Sequence, residues 1–132
     1  MNLHLKSKEN FEIAQYCLQK KAYNCGVSRA YYSIYQKIMG ICEENSVNLH
    51  GYSRGDDKYP HGAIGGIFSI MIKSISTKQV KDTTLLDYGN KVSSLQRKRI
   101  TADYKIDMIA QSILKEEIDK VQEISKFIDT TL

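Results

Sequence analysis

The sequence predicts an all-α fold, an antiparallel bundle of four to five helices, and three observations carry that expectation. Apolar residues recur at three- and four-residue steps along most of the chain. No segment shows the strict alternation of a half-buried strand. Proline occurs once in 132 residues and no low-complexity tract is present, so little interrupts helices or favours disorder. The length suits one domain over residues 1–132 with a real core.

The first helix is expected from Ser7 to Lys21, with Phe11, Ala14, Cys17 and Leu18 on one face. An Ala-Tyr-Asn turn then leads to a second helix from Asn24, a candidate N-cap, to Asn45. Its stripe is Val27, Ala30, Tyr31, Ile34, Ile38 and Ile41. Residues 46–60 read as a polar loop containing Gly51, Gly55, Asp56 and Asp57. Pro60 suits the first turn of a third helix, where its missing N–H costs nothing, and Ile64, Ile67, Phe68, Met71, Ile72 and Ile75 follow. Gly62, Gly65 and Gly66 suit close helix–helix approach there. A nucleotide-binding phosphate loop is not expected, since no strand precedes them and no Gly-Lys-Ser/Thr follows. Leu85, Tyr88, Val92 and Leu95 open a fourth helix, and a last helix from Asp107 to Asp129 carries Leu114, Ile118, Val121, Ile124 and Ile128.

Composition narrows the setting. Three cysteines, Cys17, Cys25 and Cys42, lack metal-like spacing and read as buried free thiols of a reducing compartment. Asp56 and Asp57 have no histidine near them, so neither a metal nor another cofactor is expected. The N-terminal stretch lacks the apolar core of a secretory signal, and no segment is long enough to span a bilayer. A cytoplasmic protein with no membrane partner is expected.

Charge is concentrated in one place. Residues 91–105 hold five cations (Lys91, Arg97, Lys98, Arg99, Lys105) and one acid (Asp103), which equals the net +4 of the whole chain. Guanidinium groups of this kind grip phosphate in a bidentate fashion. A solvated helix end, its cations complementing the C-terminal dipole, accounts for the same run. Both readings stand at this point.

Three stretches, in order, resemble small prokaryotic HEPN-domain proteins (higher eukaryotes and prokaryotes nucleotide-binding). Residues 21–35 contain Ser28-Arg29-Ala30-Tyr31-Tyr32-Ser33-Ile34-Tyr35, similar to the Ser/Arg-Ala-Tyr-Tyr-x-x-Phe/Tyr helix of that group. His61-Gly62-Ala63-Ile64-Gly65-Gly66-Ile67-Phe68 resembles its His-x-Gly-Val/Ile-x-x-x-Phe motif, with the glycine displaced to directly after His61. Arg99-Ile100-Thr101-Ala102-Asp103-Tyr104 looks like its Arg-x-x-Ala-Asp-Tyr motif. The resemblance runs from about Glu9 to Phe127. It implies a HEPN-like bundle that forms a homodimer, and an RNA- or nucleotide-binding module of a prokaryotic defence or toxin–antitoxin system. Some members are metal-independent ribonuclease toxins. The alternative is a non-catalytic helical subunit that docks a minimal nucleotidyltransferase.

The chain departs from the nuclease pattern, Arg-x(4–6)-His. Its histidines are His4, His50 and His61, and none follows Arg97 or Arg99 at that distance. Counted from Arg99, the histidine position is Tyr104; counted from Arg97, it is Ala102, with Tyr104 two residues on, where family toxins carry a tyrosine adenylylated by a partner. The candidate catalytic set is therefore Arg99, Tyr104, Asp103 and His61. Arg97, Lys98, Arg99, Tyr32 and Arg29 are candidates for RNA or phosphate binding, and Tyr104 for modification. Tyrosine is a poor base at neutral pH unless nearby cations lower its pKa. Asp103 is placed to orient Arg99 through an i,i+4 pair. His61 is read either as a substitute base or as a helix-start residue that caps or packs. Tyr31 belongs to the core stripe; Tyr32, about 100° round the helix, is free to line a cleft with Arg29 and Tyr35 or to pack in an interface. His4 and His50 are expected in solvent.

Overall fold

The computed structural model describes residues 2–52, 61–104 and 108–132. Five helices make the bundle: α1 (Leu3–Gln19), α2 (Tyr23–Glu44), α3 (Ile64–Ile75), α4 (Asp82–Tyr104) and α5 (Gln111–Thr131). Single 3₁₀ turns lie at His50–Tyr52 and His61–Ala63, and no strand occurs among the described residues. None of these helices is long and apolar enough to cross a membrane.

Helix α1 starts before Ser7 because the Asn2 side chain accepts a bond from the Leu5 N–H at 3.2 Å, a side-chain N-cap. It ends in a Schellman turn: Ala22 N bonds Cys17 O at 2.9 Å across Lys21, whose φ is +61°. Helix α2 ends the same way, with Val47 N on Cys42 O at 3.0 Å across Ser46 at φ +51°. Neither position carries the glycine that usually fills it, so each stores a small left-handed penalty.

The first turn lets α1 and α2 pack along their lengths as a hairpin, and α2 then serves as the hub, touching α1, α3, α4 and α5. Tyr31, Ile34 and Ile38 of α2 are fully enclosed with Phe68 and Met71 of α3, Leu95 of α4, and Leu114 and Ile124 of α5. Each such side chain contributes about 1.5–3 kcal/mol by leaving water. Of the expected spacers, Gly65 works where α3 meets α4, while Gly66 leaves room for the Tyr52 ring. A Cβ at Gly65 would collide with Ser93 Oγ and stand 2.9 Å from the Gly89 carbonyl oxygen. Gly62, in contrast, faces open space. One residue before Gly89 on α4, Tyr88 stacks on Phe127 of α5 with ring centroids 4.0 Å apart.

Several expectations are corrected here. Asn24 is not a cap: α2 begins one residue earlier, with Ala22 at the N-cap and no side-chain bond. The last helix starts at Gln111, since residues 108–110 are not helical. Cys17 and Cys42 are buried thiols, each pushed up to about 11 chiefly by burial, whereas Cys25 is exposed. Residues 46–52 are not simply polar loop, because Leu49 is buried and His50–Tyr52 form a 3₁₀ turn. Gly55, Asp56, Asp57, Pro60, Lys105 and Asp107 lie outside the described residues.

Candidate functional site: a caged arginine beside a histidine

The three consecutive cations of α4 do not form one patch. Successive residues of a helix diverge by about 100°, so Arg97, Lys98 and Arg99 face three directions. Arg97 is exposed. Lys98 is half-buried on the α5 side, near enough to Glu117 for its charge to favour that carboxylate. Arg99 turns inward against α2 and is only 7 % exposed.

The Arg99 guanidinium lies over the rings of Tyr31, Tyr32 and Tyr104, at 5.5, 5.7 and 5.9 Å from their centroids. Each face offers a cation about 0.5–2 kcal/mol, more as water is excluded. Its polar partners are weaker. Nη1 stands 3.5 Å from the Tyr32 hydroxyl and 3.5 Å from Asp103 Oδ2, the expected i,i+4 pair at the long end of contact. Among the described residues its buried Nε has no hydrogen-bond partner. Taking a charge out of water costs several kcal/mol unless partners replace the lost solvation. Against these partners Arg99 is under-neutralised.

His61 arrives from a different element. Its 3₁₀ turn leads into α3, whose N-cap is Ala63, so the imidazole caps nothing. The ring packs instead against Tyr35, Tyr31 and Tyr32, with centroids at 4.4, 5.6 and 5.9 Å. Tyr31 Oη and His61 Nδ1 are 2.6 Å apart. Burial, then the Arg99 charge, hold the His61 pKa below its ordinary value, so the ring is neutral at pH 7. Burial likewise raises the Tyr31 phenol. A neutral, enclosed phenol must donate, and Nδ1 is its partner among the described residues; the ring's proton therefore sits on Nε2. The site thus collects an arginine, an imidazole N–H and the Tyr32 hydroxyl, all able to donate, around one loosely paired carboxylate. Such a set suits an anion.

One stripe of α2 holds this together. Asn24, Ser28, Tyr31 and Tyr35 recur at helical steps on the side that meets α4. Asn24 Nδ2 donates to Ala102 O at 3.3 Å, while its Oδ1 accepts from Ile109 N at 3.0 Å, tying the end of α4 to the approach to α5. Ser28 Oγ donates to Asp103 Oδ2 at 3.4 Å, on the carboxylate that faces Arg99. The roles of Asn24, Ser28 and the Tyr31 hydroxyl are not apparent from the motifs, although the four-residue stripe of polar-tipped side chains is visible in the sequence.

Of the candidate residues, Arg99, Asp103, Tyr104, Tyr32 and His61 come together, and Arg97, Lys98 and Arg29 do not. Arg29 leaves the site altogether: its Nη1 donates to Asn10 Oδ1 of α1 at 3.1 Å. Tyr104 touches Arg99 with its ring but is 74 % exposed, so its hydroxyl is open to solvent. His4 pairs with Glu44 at 2.7 Å, and His50 is exposed. No group of three or more His, Cys, Asp or Glu side chains that could hold a metal occurs among the described residues.

Comparison with protein-family models, with curated proteins and with solved structures finds no match to this chain.

Proposed function

We propose that the chain is a HEPN-type RNA- or nucleotide-binding module of a prokaryotic defence or toxin–antitoxin system, with Arg99 as its phosphate grip. The observation that carries this reading is the buried guanidinium of Arg99, which among the described residues faces donors rather than a close carboxylate. A phosphate oxygen supplies the charge and acceptor that the site lacks, and the rings of Tyr32 and Tyr104 offer stacking faces for a base. The deciding comparison is single-stranded RNA binding by Arg99→Met and Arg97→Met, with circular dichroism to report the fold. Loss with the first and near-retention with the second supports the site; equal loss returns the basic run to general electrostatics.

The approach of His61 to Arg99 favours a second reading, metal-independent RNA cleavage, in which the histidine absent from α4 is replaced by one from another element. Arg99 would stabilise the charge of the phosphorane and the His61 Nε2–H would hydrogen-bond a phosphate oxygen, while water takes the proton of the attacking 2′-hydroxyl and protonates the departing 5′-oxygen. Cleavage in the presence of chelator that His61→Leu abolishes, with RNA binding kept, separates this reading from binding alone. The exposed Tyr104 hydroxyl equally suits modification by a nucleotidyltransferase partner, which would add nucleotide mass that Tyr104→Phe prevents.

A homodimer belongs to the same proposal. Leu86, Ile100 and Tyr104 are exposed along one side of α4, a stripe suited to a second copy and adjacent to the Arg99 site. Light scattering at micromolar concentration is expected to report twice the chain mass, and a monomer would remove the dimer from the proposal.

A further inference from the structure

We propose that a groove between α1, α2 and α5 docks an acidic amphipathic helix of a partner protein. The groove has a volume of about 580 Å³; half-buried Phe11 is its open apolar surface, with the enclosed Ile34 and Val121 beneath. It is independent of the Arg99 site. The residues that α2 gives it, Ser33, Ile34 and Lys37, lie about 90–170° round the helix from the middle of the Asn24–Tyr35 stripe.

Its dimensions fit a helix. The α1 wall runs from His4 to Phe11 and the α5 wall from Val121 to Asp129. At 1.5 Å per residue these walls are about 10 and 12 Å long, or about two helical turns. A helix laid between them would present apolar side chains at i, i+3 or i+4 and i+7 to the floor. The floor makes little polar demand on an occupant, because the Ser7 hydroxyl already donates to Ser33 O and the Ser33 hydroxyl to Ala30 O.

Charge selects the occupant. Lys8, Lys37 and Lys126 line the groove against a single carboxylate, Asp129, which is already engaged 2.8 Å from Lys37. Lys8 and Lys126 are exposed, one on each rim. Acidic residues flanking the apolar stripe of an incoming helix would meet both rims. A nucleic-acid backbone would satisfy the lysines but bury nothing against Phe11, so a peptide is the better match.

The test uses a fluorescein-labelled helical peptide with leucines at i, i+3 and i+7 flanked by glutamates, and a twin carrying lysines in place of the glutamates. Saturable anisotropy binding of the glutamate peptide is expected, weakening with salt and falling about tenfold or more in Lys8→Glu/Lys126→Glu. Both positions are exposed, so the fold should persist by circular dichroism. The lysine twin should bind the reversed variant and not the wild type. Arg99→Met should bind the glutamate peptide as wild type does, which separates this groove from the phosphate grip. Absence of saturable binding, equal binding of the two peptides, or displacement of the peptide from Arg99→Met by single-stranded RNA would overturn the proposal.

Discussion

The two ends of α4 solve opposite packing problems. Its first half approaches α3 by removing side chains: Gly89 faces Gly65, and the backbones come close enough that a single Cβ would collide. Its second half approaches α2 by filling the gap with a cation, Arg99, wrapped in three tyrosine rings. The glycine end gains dispersion contacts at no electrostatic cost. The arginine end keeps a buried charge without a tight counter-ion among the described residues, an arrangement that apolar side chains of similar size would often equal or exceed in stability. One end of the helix is built for stability, and the other carries a charge that stability alone does not require.

That contrast breaks most visibly at Arg99. Arg99→Met keeps the length and bulk of the side chain and removes its donors. RNA affinity in a filter-binding assay is expected to fall about ten- to hundredfold, the worth of a charge-assisted contact, while thermal stability holds or rises. A fall in stability with no change in affinity would make Arg99 a structural cation. The opposite pattern is expected at the other end. Gly65→Ala forces a shift against the Gly89 carbonyl, and chemical denaturation should show a loss of about 1–3 kcal/mol with RNA affinity kept at temperatures where the variant stays folded.

The pH response sharpens the same comparison. The folded-state pKa of His61 lies below its unfolded value, so the contribution of the neutral ring is complete above the unfolded pKa. It is lost as pH falls through the folded value, because protonation then favours the unfolded chain. Glu117, 1 % exposed and raised chiefly by burial, acts in the opposite sense: it adds stability as pH falls toward its unfolded value. Melting temperatures of wild type and His61→Gln, taken from pH 7 to below the ordinary histidine range, cancel the Glu117 contribution. The gap between the two should narrow as pH falls, and a constant gap would show that His61 does not titrate in this window. The smallest effect belongs to a turn remote from both ends of α4. Lys21→Gly relieves the left-handed backbone after α1 and should stabilise the fold by up to about 1 kcal/mol in denaturant titration, offset in part by glycine's greater unfolded-state freedom.

Much of the bundle is legible in the sequence because burial and helical period coincide. The stripes through Val27–Ile38, Ile64–Ile72 and Leu114–Ile128 are the core, and the spacer role of Gly65 is readable from its place among large apolar neighbours. The Arg99–Asp103 pair is legible for the same local reason, since both lie on one helix a turn apart. What depends on tertiary approach is not. Nothing local brings His61 to Arg99 or Asn24 to Ile109, and Arg29 goes to Asn10 because its position on α2 faces α1. The cation run misleads in a different way. Charge counted along the chain treats Arg97, Lys98 and Arg99 as one feature, while helical geometry sends them to solvent, to the α5 side and to the interior.

The hub position of α2 also bears on the order in which the molecule assembles. Its contacts with α1 close across a three-residue turn, so they cost little loop entropy and can form early. The Tyr32–Arg99 contact spans 67 residues and the Asn24–Ile109 contact 85, so both wait for the chain to close from its far end. The hairpin should therefore belong to the folding nucleus, and substitutions such as Ala14→Gly should slow folding. Substitutions around Arg99 should instead speed unfolding. The Arg99 site would be the last part of the molecule to form and the first to open, which links its availability to local rather than global unfolding.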